Sequence, residues 1–550
     1  MKKILLGNDA IIKAALASGV SFVSGYPGCP SAEIGDDFAK IAAKNGVYVE
    51  WSTNEKVALE AAIGASFSGI RSLVNMKSFG INVCSDSLLP LVYTGTKAPM
   101  VIVVADDPSC WSSAQTEQNS RGYAYLSHIP MLEPADPQEC YDFTKLAFEI
   151  SEKFKIPVIL HTTTRANHQK MPVEFEETIP NSVVKKGEFV KNQHQFVTMP
   201  PRVLEMKAEL LEKAEKIRAL SEKSFANKIY NGSTSSKFGI ITSGVAHLHT
   251  LEVLEEMKLK VPILKLGFFN QLPEKKIAKF LGGLKKVLVV EELDGYLEKE
   301  IKVIAKDANL KLEVFGKNVL PEIGELNSEK ISVALAKITG KKFVSFKPDV
   351  LTLPKRTARL CEGCPYWHVF PLLKRIAPEG TVFGGDIGCN MIASLPPHSM
   401  SDYMFAMGAG LGISHGVSKS LRSNSGQATS QKVISIMGDG TFFHSGIAPL
   451  INAVYNKSNP LVVIVDNRIT AMTGHQPNPG MGKTLMGETT EELQIEDIVK
   501  ACKVKNVKVL DPINMQEFES TVKDFLTKDE VSVIICKRIC ALLERRQKKQ

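Results

Sequence analysis

The sequence has no long hydrophobic run. No window approaches the roughly 18 apolar residues that a membrane-spanning helix needs, and the segment MKKILLGNDA at the start holds too few apolar residues for the core of a secretion signal. We therefore expect a cytoplasmic protein that does not associate with a membrane.

A strong charge imbalance is also missing. The chain has 67 Lys and Arg against 59 Asp and Glu, a net charge of +8 over 550 residues, and part of the excess lies in the last residues, ERRQKKQ. A small, dispersed excess does not indicate nucleic-acid binding. The basic end is expected to be a solvated tail, and docking of an acidic partner protein is the lesser alternative.

The ten cysteines are not expected to form disulfides, because the cytosol keeps thiols reduced. Cys361 and Cys364 form a C-x-x-C pair, Cys389 follows in GGDIGCN, and Cys540 lies near the end. Four thiolates fit one [4Fe–4S] cluster, and zinc accepts the same ligands. Cys536 is an alternative fourth ligand. The remaining cysteines have no partner spacing and are expected to be fillers: Cys84, Cys110, Cys140 and Cys502.

The length favours about three domains, and 44% hydrophobic with 23% charged residues is typical of a globular protein. Apolar β-branched runs such as SLVNMK, MVIVVADD, FGIITSG, KVLVVEE and LVVIVDN alternate with helical patterns, which indicates parallel α/β sheets. We predict three α/β sandwich domains in series. The predicted ranges are 1–185, a linker helix within 186–235, 236–345 and 356–545.

The segment VISIMGDGTFFHSG, followed by LVVIVDN, carries the most informative motif. One apolar strand ends in Gly438-Asp439-Gly440 and the next ends before Asn467. Carboxyl ends of parallel strands share one sheet edge, so Asp439 and Asn467 are expected to converge. Flanking glycines let the backbone approach phosphate, and oxygen ligands suit Mg²⁺. A tight Asp turn without a ligand is the alternative interpretation.

The spacing of this motif resembles the thiamin diphosphate signature. That resemblance implies that Asp439, Asn467 and the carbonyl of Ile469 hold Mg²⁺ against the diphosphate. EWSTNEKVALEAAIGASFSG in turn resembles the segment that supplies the activating carboxylate, which makes Glu55 the group expected to hydrogen-bond N1′ of the aminopyrimidine. Taken alone, a Glu that opens a helix is only a favourable contact with the helix dipole.

Over nearly its full length the chain resembles the family of indolepyruvate ferredoxin oxidoreductase large (alpha) subunits. The resemblance rests on ordered motifs that include SGYPGCPSAEI, IPMLEPADPQE, LCEGCP, GDIGC, MGDGTFFHSGI and DNRITAMTGHQP. It implies a pyrimidine-binding first domain, a transketolase C-terminal-like second domain and a diphosphate-binding third domain. It also favours Cys361, Cys364, Cys389 and Cys540 as ligands of a [4Fe–4S] cluster.

The family implies oxidative decarboxylation of an arylpyruvate-like 2-oxoacid to an acyl-CoA, with coenzyme A as co-substrate. A smaller beta subunit is the expected partner in a dimer of heterodimers. Family members usually continue into a ferredoxin-like extension, whereas this sequence stops at Gln550. We therefore expect the electrons to pass to another subunit or to ferredoxin.

The sequence departs from the family pattern near the expected substrate. GYPGCPS replaces GYPGTPS, which puts Cys29 in place of a threonine; Cys29 and Ser31 are the predicted substrate contacts. His161 replaces an arginine in LHTTTR, and Trp111 stands where histidine is frequent. These changes indicate either a different 2-oxoacid or neutral drift.

Two further predictions concern the cofactor edge. His475 in TGHQP is a candidate for proton transfer or substrate contact, with a structural histidine as the alternative. Gly408, with Gly410 and Gly412, fits a helix packed close to the cofactor or plain helix–sheet packing. The competing functions are a non-oxidative decarboxylase or carboligase, which needs no cluster, and a silent scaffold subunit.

Overall fold

The computed structural model describes residues 1–177, 183, 185–230, 236–343, 357–421 and 431–548. The chain forms two compact units, Met1–Val350 and Leu351–Gln550. The predicted stretch between the second and third domains lies outside the described residues, and the domain boundaries stay predictions. Within the described ranges, no helix has the length and apolar character required to cross a bilayer.

Unit 1 contains two sheets and a separate two-stranded ribbon. Its strands are β1 Lys2–Leu6, β2 Phe22–Gly25, β3 Tyr48–Trp51, β4 Ser72–Lys77, β5 Met100–Asp106, β6 Met131–Leu132, β7 Val158–Thr163, β8 Lys170–Glu174, β9 Lys228–Tyr230, β10 Phe238–Ser243, β11 Ile263–Leu266, β12 Lys286–Val290 and β13 Glu313–Phe315. The first sheet has the order β3-β2-β4-β5-β7-β6 and is parallel throughout. The second has the order β13-β12-β10-β11-β9, with only β9 antiparallel.

Helices separate these strands, as a parallel sheet requires. They are α1 Gly7–Ala17, α2 Ala32–Asn45, α3 Glu55–Phe67, α4 Ser78–Thr94, α5 Gly122–Ser127, α6 Pro137–Phe154, α7 Thr164–His168, α8 Gln193–Phe196, α9 Arg202–Ser221, α10 Ala246–Glu256, α11 Glu274–Leu281, α12 Tyr296–Asp307 and α13 Ser328–Thr339. Strand β5 is buried along its whole length, which explains its uninterrupted apolar sequence.

Helix α9 lies within the range predicted for a linker helix, and its role as a linker stays a prediction. The apolar spacing, which ends at Leu220, predicts a helix over 202–226, whereas α9 stops at Ser221. The side-chain amide of Asn227 donates to the Ser221 carbonyl at 2.9 Å and satisfies the last turn, so the chain leaves the helix there. The buried face of α9 consists of Met206, Leu210, Ala214, Ile217 and Ser221.

Unit 2 is built on one parallel sheet. Its strands are β14 Val382–Gly384, β15 Val433–Gly438, β16 Leu461–Asp466, β17 Asn506–Leu510 and β18 Ser532–Lys537, in the order β14-β15-β16-β18-β17. Its helices are α14 Tyr366–Ile376, α15 Ala409–Ser420, α16 Asp439–Thr441, α17 Ile447–Tyr455, α18 Ile495–Ala501, α19 Met515–Phe525 and α20 Ala541–Gln547.

Side chains alternate between the two faces of each strand, and each face of this sheet packs against helices to form a core. On β16, Val463 belongs to the core on one face, with Val369 and Phe370 of α14. Its neighbour Val462 belongs to the core on the other face, with Leu450 of α17. The α/β fold class predicted from the sequence is confirmed, with β15 and β16 side by side as the motif required.

Candidate functional site

Asp439 and Asn467 meet at the carboxyl edge of the unit 2 sheet. Gly438 pairs with Val465 in register, so the residues that follow β15 and β16 are neighbours. The backbone N–H of Ile469 donates both to Asp439 Oδ2 at 3.0 Å and to Asn467 Oδ1 at 3.1 Å. The predicted convergence of the two side chains is therefore observed.

Burial and neighbouring charge make the Asp439 carboxylate unusual. The side chain is 2% exposed, and burial together with the charge of Asp466 raises the pKa of Asp439 to about 7. Its other partners are the neutral amides of Gly440 at 2.8 Å and Asn478 at 3.1 Å. A carboxylate and an amide oxygen at one point fit Mg²⁺, which also balances the buried negative charge.

Asn478 and Asp386 complete this edge and were missed from the sequence. Asp386 follows β14, is fully buried, and accepts the Gly408 N–H at Oδ2 at 3.0 Å; Thr441 Oγ1 lies 3.3 Å from its Oδ1. Burial raises the pKa of Asp386 to about 7. The sequence does carry a signal for Asp386, because GGD follows a short apolar strand in the same way as GDG follows the strand before Asp439.

Gly408 has a positive φ of 79° and comes directly before α15. A Cβ at this position would lie 2.7 Å from the Ser445 carbonyl oxygen, so no other residue fits without displacing backbone. A Cβ at Gly410 would lie 2.5 Å from the Gly385 carbonyl, whereas the position of Gly412 is open. Gly408 and Gly410 thus let neighbouring backbone segments pack closely at the edge that carries Asp386.

Cys540 connects the cysteines to this edge. Its backbone N–H donates to the Asn467 carbonyl at 3.0 Å. The C-x-x-C turn packs beside it, since a Cβ at Gly363 would lie 3.3 Å from the Cβ of Ala541. Cys364 N–H donates to the Cys361 carbonyl at 3.1 Å, which closes that turn.

The four thiols occupy one region of unit 2. Burial and the charges of Cys364, Cys540 and Cys361 raise the pKa of Cys389 to about 12, and burial with the same cysteine group raises that of Cys364 to about 11. Cys536 instead lies fully buried in the apolar core on β18. In the parts of the chain that the structure describes, no three His, Cys, Asp or Glu side chains are already arranged to hold a metal.

His475 lies with the cysteines. Its Nε2 is 3.7 Å from Cys540 Sγ, and its backbone has a positive φ of 70°. Burial and the nearby Arg546 lower the pKa of His475, so its imidazole is neutral at neutral pH. Its predicted catalytic role stays a prediction.

In unit 1, Glu55 is the first residue of α3 and is buried. The Asn54 side chain caps the helix by accepting the Val57 N–H at 3.0 Å, which fixes the start of α3. Gly80 of α4 packs against the carboxylate stem, because a Cβ there would lie 2.6 Å from Glu55 Cγ. Gly80 was not identified from the sequence; only the packing of α3 against α4 shows its role.

The loop after β2 carries the predicted substrate residues. Cys29 is half-buried and joined to Pro30 by a cis peptide bond, and burial and the charge of Glu33 raise the pKa of its thiol. Ser31 is fully buried, and its hydroxyl donates to the Gly28 carbonyl at 3.2 Å. The Ser31 hydroxyl therefore acts within the loop in this structure, and substrate contact by either residue stays a prediction.

His161 faces a buried ion network instead of an open pocket. Its Nδ1 lies 2.8 Å from Glu133 Oε1 and its Nε2 lies 2.9 Å from Asp106 Oδ2. Burial disfavours the imidazolium, but the charge of Asp106 and both hydrogen bonds outweigh it and raise the pKa of His161 to about 9. Arg121 supplies the permanent positive charge of this network. Its Nε donates to Glu133 at 2.6 Å and its Nη1 donates to the Glu292 carbonyl at 2.9 Å.

Trp111 is 68% exposed, and its indole N–H donates to Glu325 at 3.3 Å. With Arg165, His168 and His249 it lines a cavity of about 630 Å³ inside unit 1. This position of Trp111 fits a changed substrate as well as neutral drift.

Comparison with known proteins agrees with this geometry. The model of the thiamine pyrophosphate enzyme C-terminal TPP-binding domain matches residues 386–536, and that of the thiamine diphosphate-binding domain of pyruvate flavodoxin/ferredoxin oxidoreductase matches residues 13–220. Indolepyruvate oxidoreductase subunit IorA of Methanothermobacter thermautotrophicus is 43% identical over 98% of this chain and 87% of its own length. The IorA subunit of Pyrococcus horikoshii is 39% identical over 100% of this chain and 88% of its own.

The chain belongs to the IorA family. It is therefore a subunit of a thiamin diphosphate-dependent 2-oxoacid oxidoreductase, and the family and enzyme class predicted from its motifs are confirmed. Among solved structures, the 2-oxoglutarate:ferredoxin oxidoreductase from Magnetococcus marinus with 2-oxoglutarate, coenzyme A and succinyl-CoA bound is 18% identical. It covers 61% of this chain and 65% of its own, with a TM-score of 0.49.

Proposed function

We propose that this IorA-family chain carries out the oxidative decarboxylation of an arylpyruvate-like 2-oxoacid. The carboxyl group leaves as CO₂, coenzyme A takes the acyl group, and two electrons leave through a [4Fe–4S] cluster. The observation that carries the proposal is the hydrogen bond from the Cys540 backbone to the Asn467 carbonyl. It brings the backbone of Cys540 against Asn467 at the edge that holds Asp439, which supports a role for the cysteines beside the cofactor, and a non-oxidative decarboxylase has no use for such thiols.

Each part of unit 2 has a distinct task in this proposal. Asp439, Asn467 and the Ile469 carbonyl would hold Mg²⁺ and the diphosphate, and Gly438 and Gly440 would give the phosphates access to the backbone. Gly408 allows the N-terminus of α15 to approach the same edge. When bound, thiamin diphosphate supplies the nucleophilic carbon and the electron sink for decarboxylation.

Glu55 would hydrogen-bond N1′ of a bound aminopyrimidine, which would favour the tautomer with a basic 4′-nitrogen. The burial of Glu55 would strengthen this hydrogen bond, since water competes less for the carboxylate. Asn54 and Gly80 keep the side chain in place from two helices. His475, neutral beside Cys540, is available to accept a proton near the cysteines.

Cys361, Cys364, Cys389 and Cys540 are the proposed cluster ligands, and four thiolates are the donor set that such a cluster takes. The proposed electron acceptor is ferredoxin or another subunit, and the proposed assembly pairs two such chains with two smaller beta subunits. The name of the relatives, a subunit of indolepyruvate oxidoreductase, supports a partner subunit.

The decisive experiment is an anaerobic dye-reduction assay on the purified complex with a panel of 2-oxoacids, with and without coenzyme A. We expect CoA-dependent dye reduction with arylpyruvates, and visible absorption of an iron–sulfur cluster that Cys361→Ser removes. Cys502→Ser is the matched control, because Cys502 packs against the core on one face of the sheet, whereas Cys364 and Cys389 pack against the core on the other face. Release of an aldehyde without dye reduction would support the non-oxidative alternative. Full turnover by Glu55→Ala would support the alternative that this chain is a catalytically silent scaffold subunit.

A further inference from the structure

Lys77 lies at the carboxyl edge of the unit 1 sheet. It is the last residue of β4, which lies between β2 and β5. Its stem packs under the loop that carries Cys29, because a Cβ at Gly28 would lie 2.8 Å from Lys77 Cβ. Ligands of open α/β sheets bind at this edge, so the position of the ammonium group is informative.

The ammonium group of Lys77 has weak compensation for its charge. Its Nζ donates to the Ser112 carbonyl at 2.8 Å and lies 5.4 Å from the centroid of the Phe79 ring. Across the described ranges, no ion pair joins it to a carboxylate. Burial lowers the pKa of Lys77, which shows that its surroundings favour the charged form less than water does.

Asp107, the acid that acts most strongly on Lys77, already accepts several hydrogen bonds. Its Oδ2 accepts the Ser113 hydroxyl at 2.6 Å and the Ser112 N–H at 2.8 Å, and its Oδ1 accepts the Thr164 hydroxyl at 2.7 Å. These donors keep its pKa low in spite of burial. Asp107 therefore remains a fixed anion that acts on Lys77 from a distance without pairing directly with it.

The charges around Cys29 define which ligand this edge can accept. The groups that act most strongly on its thiol are the acids Glu33, Asp107 and Asp36 and one cation, Lys77. Glu33 is already paired with His168, whose Nε2 lies 3.5 Å from Glu33 Oε1. A 2-oxoacid carries a negative carboxylate, and among the charged groups that act on the Cys29 thiol the ammonium group of Lys77 is the cation that can donate a hydrogen bond to it.

We propose that Lys77 binds the carboxylate of the 2-oxoacid substrate and thereby selects acids over neutral carbonyl compounds. This inference rests on the proposed function for the identity of its ligand. The binding event itself is an ion pair with a small carboxylate at the end of β4.

The test measures binding without turnover. The purified complex, loaded with thiamin diphosphate and Mg²⁺, is titrated with 3-phenylpropionate, a carboxylate without the reactive keto group, and with neutral 3-phenylpropionamide. We expect Lys77→Met to weaken 3-phenylpropionate binding by about tenfold or more and to leave the amide unchanged, whereas Lys77→Arg retains part of the preference.

Lys97→Met is the matched control. Lys97 also donates to a backbone carbonyl, that of Glu188 at 3.3 Å, but it lies before β5 at the opposite edge of the sheet. We expect it to bind both probes like the wild type. Thermal melting of each variant checks that a loss of binding does not reflect unfolding.

Two outcomes would overturn the inference: a wild-type complex without preference for the carboxylate probe, or Lys77→Met with undiminished preference. Failure of the proposed function is detected separately, in the wild type, as an absence of dye reduction with every 2-oxoacid. A Lys77-dependent carboxylate preference in such a complex would leave the binding site intact and refute only the oxidative reaction.

Discussion

Two groups of buried carboxylates in this protein are compensated in opposite ways. In unit 1, burial alone would raise the pKa of Glu133, but the charge of Arg121 and the hydrogen bond from His161 bring it well below its usual range. In unit 2, Asp439 and Asp386 have neutral donors as their nearest partners, and their pKa values rise to about 7. Glu133, which has its own cations, is part of the framework, whereas Asp439 and Asp386, which have neutral donors, are suited to a ligand that brings positive charge.

The largest effect is expected from a change that breaks the ion network around Glu133. Glu133→Gln leaves Arg121 and the His161 imidazolium without their shared carboxylate, and we expect a loss of about 3–5 kcal/mol in the free energy of unfolding. Denaturant unfolding of the complex measures it. The control is Glu174→Gln, which removes an exposed ion pair with Lys2 and should cost less than about 1 kcal/mol. Equal losses in the two variants would contradict this interpretation.

The matching change in unit 2 should act on ligand binding instead of on stability. Asp439→Asn removes an uncompensated charge, so we expect the apo protein to be as stable as the wild type or slightly more so. Its affinity for thiamin diphosphate with Mg²⁺ should fall by more than about 100-fold. Calorimetric titration measures the affinity, and Asp511→Asn, at an exposed pair with Arg538, is the control. Unchanged affinity would remove Asp439 from the proposed site.

The pH dependence of stability sharpens the comparison further. The pKa of His161 is raised to about 9, so its imidazolium stabilises the folded state below pH 6.5, and this contribution is lost as the pH rises through 9. We expect the free energy of unfolding to fall by about 2 kcal/mol between pH 7 and 9, at roughly 1.4 kcal/mol per unit of pKa shift. In His161→Gln the fall should be smaller by this amount, and what remains comes from other groups such as Asp439 and Asp386, whose pKa values of about 7 also make the folded state less stable as the pH rises. An equal slope in both proteins would show that the fall arises elsewhere.

The smallest expected effect concerns the position of Glu55. Gly80→Ala introduces a Cβ 2.6 Å from Glu55 Cγ, and the displaced carboxylate should lower kcat by about tenfold with little change in substrate KM. Gly64→Ala is the matched control on α3, where nothing lies within 4 Å of the new Cβ, and it should leave kcat unchanged. The steady-state rates of the two variants with the same 2-oxoacid decide the comparison.

Patterns that are local in sequence predicted much of the architecture. Every strand proposed from its apolar run is present, and Asp439 and Asn467 meet because parallel strands bring their ends to one edge. The short edge strands were missed. Strand β1 pairs antiparallel with β8, from Lys2 opposite Glu174 to Leu6 opposite Lys170, and a five-residue partner so far along the chain leaves no local pattern.

The sequence by itself determined the alternation of strands and helices, the parallel sheets and the family, because these depend on periodicity and on residues at fixed spacing. Only the tertiary structure decided which buried charges are paired. Arg121 donates hydrogen bonds to Glu133 and to the Glu292 carbonyl. Among the residues that the structure describes, Lys77 and Asp439 have no oppositely charged hydrogen-bond partner. The electrostatic environment of a side chain is set by packing between segments that are distant in sequence, and no local pattern encodes that packing.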